Sequence, residues 1–153
     1  MLAAAAAARV YAGVPDAPPV DPAQATLHTL AELRAVVAQA SREIVYLTEG
    51  VPSVELADTL AALRIPVYVL LPARALTPAE QRLARGPYVR MRLSAQLAGA
   101  GALMLLDRQR LAVGPLLAPA QQGPPAPTMI VWTPDPEPLL RMFRYLWDQG
   151  RTP

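Results

Sequence analysis

The chain consists of short apolar blocks separated by polar and proline-containing stretches, and the blocks rich in β-branched and aliphatic residues predict strands. EIVYLT and IPVYVLLP are continuously apolar, which is typical of strands buried on both faces of a sheet. YVRMRLS alternates, with Arg90 and Arg92 on one side, which favours an edge or half-buried strand. The predicted strands are RVYAG (9–13), EIVYLT (43–48), IPVYVLLP (65–72), YVRMRLS (88–94), ALMLLD (102–107), RLAVG (110–114) and MIVWT (129–133).

Capping residues and apolar spacing predict helices between these strands. Asp21 and Pro22 have the form of an N-cap and a first helical residue, so the first helix is predicted to begin there. Ser53 and Thr77 are predicted to cap the second and third helices, and Pro78 fits the first position of the third. The predicted helices are 22–40, 54–64, 78–86 and 137–149, with Gly150 as the C-cap of the last.

Strands and helices that alternate and then give way to a hairpin predict an α/β sandwich with a mixed sheet. We expect six or seven strands with helices on both faces, Asp107 at the turn of the hairpin, and Trp132 in a central strand. Residues 1–22 form an Ala- and Pro-rich N-terminal segment, and residues 23–150 form the domain, to which the first predicted strand at 9–13 is also assigned.

Composition limits the classes of function open to this chain. The 153 residues are 53% hydrophobic and 17% charged, which suits one globular domain. No apolar run reaches the roughly 18 residues that a membrane-spanning helix needs. The formal net charge of +2 is weak support for polyanion binding. Localisation stays open between the cytoplasm and export with a signal already removed, because the Ala-rich start has no basic region ahead of it.

Several kinds of chemistry are excluded by residue type. The sequence has no cysteine, one histidine (His28) and no lysine, since all 14 basic residues are arginine. Thiolate catalysis, a histidine-rich metal site and lysine-dependent mechanisms are therefore unavailable. We expect no cofactor and no metal. His28 falls beside the apolar face of the first predicted helix, where a histidine without a chemical role is the simpler interpretation.

The hairpin segment GAGALMLLDRQRLAVGP (99–115) places six residues between Asp107 and Gly114. With this spacing and the order of its elements, the chain from about Arg9 to Gly150 resembles the phospholipase D superfamily, in particular its small single-motif, nuclease-like members. The signature of that family is HxKxxxxD, followed by six residues, Gly-Ser and an asparagine. The resemblance implies a phospholipase D-like αβα sandwich with a mixed sheet.

Anchored on Asp107, the family motif is degenerate in this sequence. The resemblance implies a histidine nucleophile at Ala100 and phosphate-binding residues at Ala102, Pro115 and Leu117. A glutamate that the family often carries would fall near Ala126. Because none of these side chains can perform the family's chemistry, we expect no catalytic residue. Asp107 and Gly114 have structural explanations, namely the capping of a turn and a tight exit from a strand.

Three functions follow from this pattern, and the leading one is a pseudoenzyme that serves as a binding or assembly module. Its partner is expected to be a second copy of the chain or another protein, because Ala100, Ala102 and Leu117 would make the site face apolar. The Pro-rich loop 115–127 either covers that face or is a tolerated surface insertion. The alternative is non-catalytic nucleic-acid binding, with candidate phosphate-binding residues Arg90, Arg92, Arg108 and Arg110. An active phosphodiesterase or nuclease is the third and least favoured function.

Overall fold

The computed structural model describes residues 24–118 and 127–153, which form one seven-stranded mixed sheet with helices on both faces. Its strands run in the order β1-β7-β6-β5-β2-β3-β4. The strands are β1 (Gln24–Leu27), β2 (Ile44–Thr48), β3 (Val67–Pro72), β4 (Val89–Ser94), β5 (Ala102–Leu106), β6 (Arg110–Val113) and β7 (Thr128–Trp132). The predicted α/β sandwich is confirmed.

Strand direction divides the sheet into two halves. Strands β2, β3 and β4 are parallel to one another, whereas β1, β7, β6 and β5 are joined by antiparallel pairing up to β2. The parallel half contains the continuously apolar β2, whose five residues are all buried. Because β2 lies beside β5, the carboxyl ends of the parallel strands meet the amino end of β5 at one edge of the sheet.

Four helices flank the sheet, and most of them begin where a side chain caps the backbone. They are α1 (Leu30–Ala38), α2 (Val54–Ala61), α3 (Pro78–Ala84) and α4 (Glu137–Gln149). Ser53 caps α2 and Thr77 caps α3 in a capping box with Glu80, as expected from the sequence. The last helix, α4, is followed by Gly150 at its C-cap.

Two apolar clusters lie on opposite sides of the sheet. The larger one packs α1, α2 and α3 against one face and contains Tyr46, Leu56 and Leu83. The smaller one packs α4 against the other face and contains Val45, Leu140 and Phe143. Since Val45 and Tyr46 are neighbours in β2, the alternation of side chains along a strand assigns them to different layers.

The prediction for the first helix was wrong at its start. Residues 24–27 form β1, paired with β7, and α1 begins only at Leu30. Thr29 accepts a hydrogen bond from the Glu32 backbone N–H, and the Glu32 carboxylate accepts one from the Thr29 N–H. This capping box fixes the N-terminus of α1 more strongly than the Asp-Pro signal upstream. The strand predicted at 9–13 lies outside the described residues.

Two smaller expectations also need correction. Trp132 is the last residue of β7, which is second from the edge of the sheet rather than central, and its side chain is 48% exposed. No strand or helix was predicted within the Pro-rich loop 115–127, yet Pro115–Leu117 forms a single 3₁₀ turn. Residues 119–126 of that loop lie outside the described residues.

Candidate functional site

Two positions of the motif frame, Ala100 and Ala102, lie at the carboxyl end of the parallel strands, where ligands bind in open α/β folds. Ala100 lies in the loop just before β5, and Ala102 pairs with Thr48 at the carboxyl end of β2. Ala100 is exposed and Ala102 is half-buried. The candidate nucleophile position is therefore accessible, but it presents a methyl group.

The carboxylate of Glu49, which directly follows β2, binds the backbone on both sides of Ala100. Glu49 accepts hydrogen bonds from the N–H of Gly101 at 2.5 Å and the N–H of Gly99 at 3.2 Å. Its own N–H donates to the Gly101 carbonyl at 2.9 Å. Both glycines have positive φ, 80° at Gly99 and 70° at Gly101, which the turn requires. The backbone N–H groups on either side of Ala100 therefore already donate to the Glu49 carboxylate.

The positions after Gly114 are closed rather than open to a substrate. A Cβ at Gly114, where φ is 139°, would stand 2.5 Å from Cα of Thr128. Leu117, at the position of the family's asparagine, is fully buried in the cluster beneath α1, α2 and α3. It therefore cannot contribute to an adhesive site face, and that part of the sequence-based expectation was wrong.

The hydroxyl groups beneath the motif are unsuited to nucleophilic attack. Tyr46 is fully buried and donates a hydrogen bond to the Leu117 carbonyl. Burial raises the pKa of Tyr46 well above its usual range, and the nearby charge of Glu80 adds to this effect. Thr48 is also fully buried, and its hydroxyl accepts the N–H of Gly50 at 2.9 Å. A neutral, enclosed phenol and an enclosed hydroxyl cannot reach a phosphodiester.

Arg74, in the loop that follows β3, connects this loop to helix α3 and to the loop that follows β2. Arg74 donates to both oxygens of the buried Glu80, at 2.7 Å and 2.9 Å, and to the Gly50 carbonyl at 3.1 Å. Burial alone would raise the pKa of Glu80, but hydrogen bonds from Arg74 and from Thr77 outweigh it and lower that pKa. The Arg74 guanidinium is committed to this structural contact, so it is a poor candidate for phosphate.

Asp107 lies at the opposite end of the hairpin from Ala100. It forms the β5–β6 turn with Arg108, and both residues have left-handed backbone, with φ of 55° and 58°. Its carboxylate accepts backbone N–H groups of Ser41, Arg42 and Glu43, at 2.7 to 3.1 Å. Asp107 thus joins the hairpin to the segment that leads into β2, which is a structural role.

The four candidate phosphate-binding arginines do not form one cluster at the motif. Arg90 and Arg92 lie on the edge strand β4, and Arg108 lies at the hairpin turn, paired with Glu43 at 2.9 Å. Three of them, Arg90, Arg92 and Arg108, line cavities that share Tyr68 and Trp147. Arg110 is the cross-strand partner of Leu106, whose side chain lies in the apolar cluster under α1, α2 and α3. Arg110 is therefore on the other face of the sheet from Tyr68.

The one histidine of the sequence, His28, lies outside the hairpin. His28 is exposed between β1 and α1, and its backbone N–H donates to Glu32 at 2.8 Å. Within residues 24–118 and 127–153, no three His, Cys, Asp or Glu side chains are grouped to hold a metal ion. None of the described helices is long and apolar enough to cross a membrane.

Sequence analysis missed four residues that shape this edge of the sheet: Tyr46, Glu49, Arg74 and Glu80. Only Glu80 carried a local signal, since it stands three residues after Thr77 in a capping-box pattern. The contacts of Glu49 with Gly101 and of Tyr46 with Leu117 span many residues, so the linear sequence gives no sign of them.

Comparison with known proteins identifies the fold but no close relative. No protein-family model matches the sequence, and no curated protein matches it. Among solved structures, the chain is similar to Nuc from Salmonella typhimurium, a phospholipase D family member, with 13% identity and a TM-score of 0.70 over 85% of this chain and 97% of Nuc. It is similar to NucT from Helicobacter pylori, with 11% identity and a TM-score of 0.59 over 84% and 96% of the two chains.

A third similar structure is TrmBL2, an archaeal chromatin protein described for a novel mode of DNA binding. It shares 14% identity and a TM-score of 0.56 over 88% of this chain and 55% of its own. At such low identity, these likenesses establish the fold alone, and this fold is the one that the resemblance to the phospholipase D superfamily implies.

Proposed function

We propose that this protein, which has a phospholipase D-like fold and no nucleophile at the motif positions, is a non-catalytic module that assembles with a second copy of itself. The observation that carries this proposal is the set of side chains in the motif frame. Ala100 and Ala102 replace the histidine and lysine, and Pro115 and Leu117 replace the serine and asparagine. A methyl group has no lone pair with which to attack phosphorus.

The arrangement around the motif supports the loss of catalysis. Glu49 occupies the backbone donors beside Ala100, and a carboxylate there repels an incoming phosphate. Arg74 is bound to Glu80, and Tyr46 is enclosed with a raised pKa. These contacts stabilise the edge of the sheet as a structural element.

An apolar flank of α4 supports the assembly role. Leu139, Met142 and Leu146 recur at helical spacing on the flank of α4 opposite Arg144 and Asp148. Met142 is 41% exposed, and the two leucines are half-buried. A stripe of this kind is typical of a helix that packs against a further layer.

The neighbouring sheet face is apolar and incompletely covered. Leu105 of β5 lies under α4, and its cross-strand partner on β6 is Leu111. The partner of Leu111 on β7 is Val131, so all three side chains are on the same face of the sheet. On this face of β5, β6 and β7, Leu105 is buried under α4, and five further residues are half-buried: Leu103, Leu111, Val113, Met129 and Val131. A helix flank and an open sheet face on one molecule are complementary surfaces, so a second copy related by a two-fold axis can cover both at once.

Light scattering coupled to size exclusion tests this assembly. We expect a species of twice the 16.4 kDa chain mass. Met142→Glu should shift it to a monomer that remains folded by circular dichroism, because a charge is placed in the apolar stripe. Tyr145→Glu is the matched control, since Tyr145 is 59% exposed on the solvent side of α4. A wild-type monomer at high concentration contradicts the self-assembly.

Non-catalytic nucleic-acid binding is the second candidate, and the grouping of three arginines around Tyr68 and Trp147 favours it. The DNA-binding role of the similar chromatin protein agrees with it. Affinity for single-stranded DNA should fall steeply with salt, because counterions are released for each phosphate bound. Absence of a mobility shift at low salt contradicts this candidate.

A further inference from the structure

Three adjoining cavities surround Tyr68 on the α4 side of the sheet, away from the degenerate motif. Tyr68 lines all three, and Trp147 lines the two larger ones, of about 300 Å³ and 380 Å³. The third, of about 170 Å³, reaches Tyr88 at the start of β4. We call these three cavities together the groove. Ligand sites in proteins commonly span roughly 300–1,000 Å³, so the groove is large enough for a small organic molecule.

Aromatic rings form the wall shared by the two larger cavities. The Tyr68 and Trp147 rings meet edge to face, with centroids 5.9 Å apart, and Phe143 lies 5.5 Å from Trp147. Such packing fixes the ring positions before any ligand arrives. A planar, apolar group could contact this wall without a rearrangement of the core.

Charge is distributed unevenly along the groove. The cavity beside β4 is lined by Arg90 and Arg92, and none of its described lining residues is acidic. Arg92 is held in place, because it donates to the Trp147 carbonyl at 2.7 Å and its guanidinium lies 5.0 Å from the Trp147 ring. Arg90 is exposed, and its side chain has no hydrogen bond to any of the described residues.

The cavity on the other side of Trp147 is electrostatically balanced. It is lined by the acidic Glu43 and Asp148 and the basic Arg108 and Arg144. Arg108 is paired with Glu43, and Arg144 is paired with Glu137. This cavity therefore offers apolar and aromatic contacts, whereas the neighbouring cavity offers uncompensated positive charge.

We propose that the groove binds a ligand that combines a planar ring with a phosphate group, the chemistry of a nucleotide. The phosphate is bound by Arg90 and Arg92, since guanidinium groups suit phosphate oxygens. The ring contacts Tyr68, Phe143 and Trp147. The site lies at the amino ends of the parallel strands, so it is separate from the degenerate motif at their carboxyl ends.

This inference specifies the second candidate function, but a mononucleotide tests it independently of any polymer. The sequence has two tryptophans, Trp132 and Trp147, so Trp132→Phe leaves Trp147 as the reporter inside the groove. Titration with adenosine monophosphate should change the Trp147 emission saturably. Inorganic phosphate and adenosine should each bind more weakly, because each supplies only half of the contacts. Absence of a saturable change up to millimolar nucleotide overturns the inference.

Variants in the same Trp132→Phe background localise the binding. Arg90→Gln should weaken it about tenfold, the expected loss of a charge-assisted hydrogen bond. Arg85→Gln is the matched control, because Arg85 is exposed at the end of α3 on the opposite side of the sheet. Equal affinities for these two variants overturn the assignment of the phosphate to β4.

Oligonucleotides separate free nucleotides from strands as the source of the ligand. Binding of adenosine monophosphate without binding of single-stranded oligo(dA) supports the groove and contradicts nucleic-acid binding. Binding of oligo(dA) that is insensitive both to Arg90→Gln and to competing mononucleotide overturns the groove, although nucleic-acid binding then stands. Oligo(dA) binding that the mononucleotide displaces supports both.

Discussion

The carboxylate of Asp107 accepts a hydrogen bond from the backbone N–H of Arg42 at 2.7 Å. This contact joins the β5–β6 turn to the segment that leads into the central strand β2. The N–H groups of Ser41 and Glu43 donate to the same carboxylate. Three backbone donors to one carboxylate give Asp107 a role in the fold that does not depend on catalysis, so an aspartate at this position is compatible with Ala100 and Ala102 at the other end of β5.

Replacement of Asp107 by asparagine should destabilise the protein by about 1–3 kcal/mol, because a neutral amide cannot accept all three N–H groups. The free energy of unfolding in urea measures this cost. Asp58→Asn is the control, since Asp58 forms only an exposed pair with Arg82 at 3.4 Å and should change stability by less than about 0.5 kcal/mol. Equal effects of the two substitutions contradict the role of Asp107.

The contribution of Asp107 should depend on pH in one direction. Burial alone would raise the pKa of Asp107, but the N–H groups of Arg42, Ser41 and Glu43 and the charge of Arg110 outweigh it and lower the pKa. The stabilisation is therefore complete above the unfolded-state pKa of about 3.9 and is lost as the pH falls through the folded-state value. The difference between wild type and Asp107→Asn should be constant from pH 7 to 5 and shrink below about pH 4. A difference that is unchanged at low pH contradicts this.

The ion pair between Arg74 and Glu80 should be strongly coupled. Arg74→Met leaves the fully buried Glu80 without its partner and should cost about 3 kcal/mol. Addition of Glu80→Gln should recover part of this loss in a double-mutant cycle. Arg82→Met, which removes only a surface pair, should cost less than about 0.5 kcal/mol. Strict additivity of the two substitutions would show that the pair does not act as a unit.

Gly114 should tolerate a side chain less well than Gly101. A Cβ at Gly114 meets backbone at 2.5 Å, whereas one at Gly101 meets nothing within 4 Å, although both positions have positive φ. Gly101→Ala should cost only the backbone strain of about 1–2 kcal/mol. Gly114→Ala should cost at least about 3 kcal/mol, because the contact strand β7 must also move. The melting temperatures of the two variants measure this difference. Equal losses of stability would mean that β7 can move away from the new Cβ without a cost in free energy.

Much of the fold could be predicted because its signals are local. The continuous apolar runs marked β2 and β3, and Ser53 and Thr77 marked two helix starts. The error at residues 24–29 has a physical reason, since two N-cap signals compete there. The four-residue strand β1 also depends on tertiary contacts, namely its pairing with β7 and the burial of Leu27 in the core. The prediction that Trp132 lies in a central strand was wrong for a related reason, because the apolar pattern of its strand carries no information on the order of strands in the sheet.

The site was predictable only in part. Motif spacing correctly put Asp107 in the turn of the β5–β6 hairpin, since register along a hairpin follows from residue count. The burial of Leu117 and the contacts of Glu49 with the backbone of Gly99 and Gly101 depend on segments that are distant in sequence. The groove at Tyr68 and Trp147 likewise needs β3 and α4 to meet, and the residues that form it are 79 positions apart in sequence, from 68 to 147.

The last prediction is catalytic silence. The family mechanism needs an imidazole at the position of Ala100, and the lysine, serine and asparagine that would stabilise the transition state are replaced as well. His28 is exposed before α1 rather than on the hairpin. We therefore expect no hydrolysis of bis(p-nitrophenyl) phosphate, plasmid DNA or phosphatidylcholine above the buffer rate. Activity that co-purifies with the protein and disappears in His28→Ala or Asp107→Asn would reveal a working site, and the non-catalytic proposal would then be wrong. Activity that is unaffected by either substitution, in variants that remain folded, would instead point to a contaminating enzyme, because those are the two residues through which the motif or the lone imidazole could act.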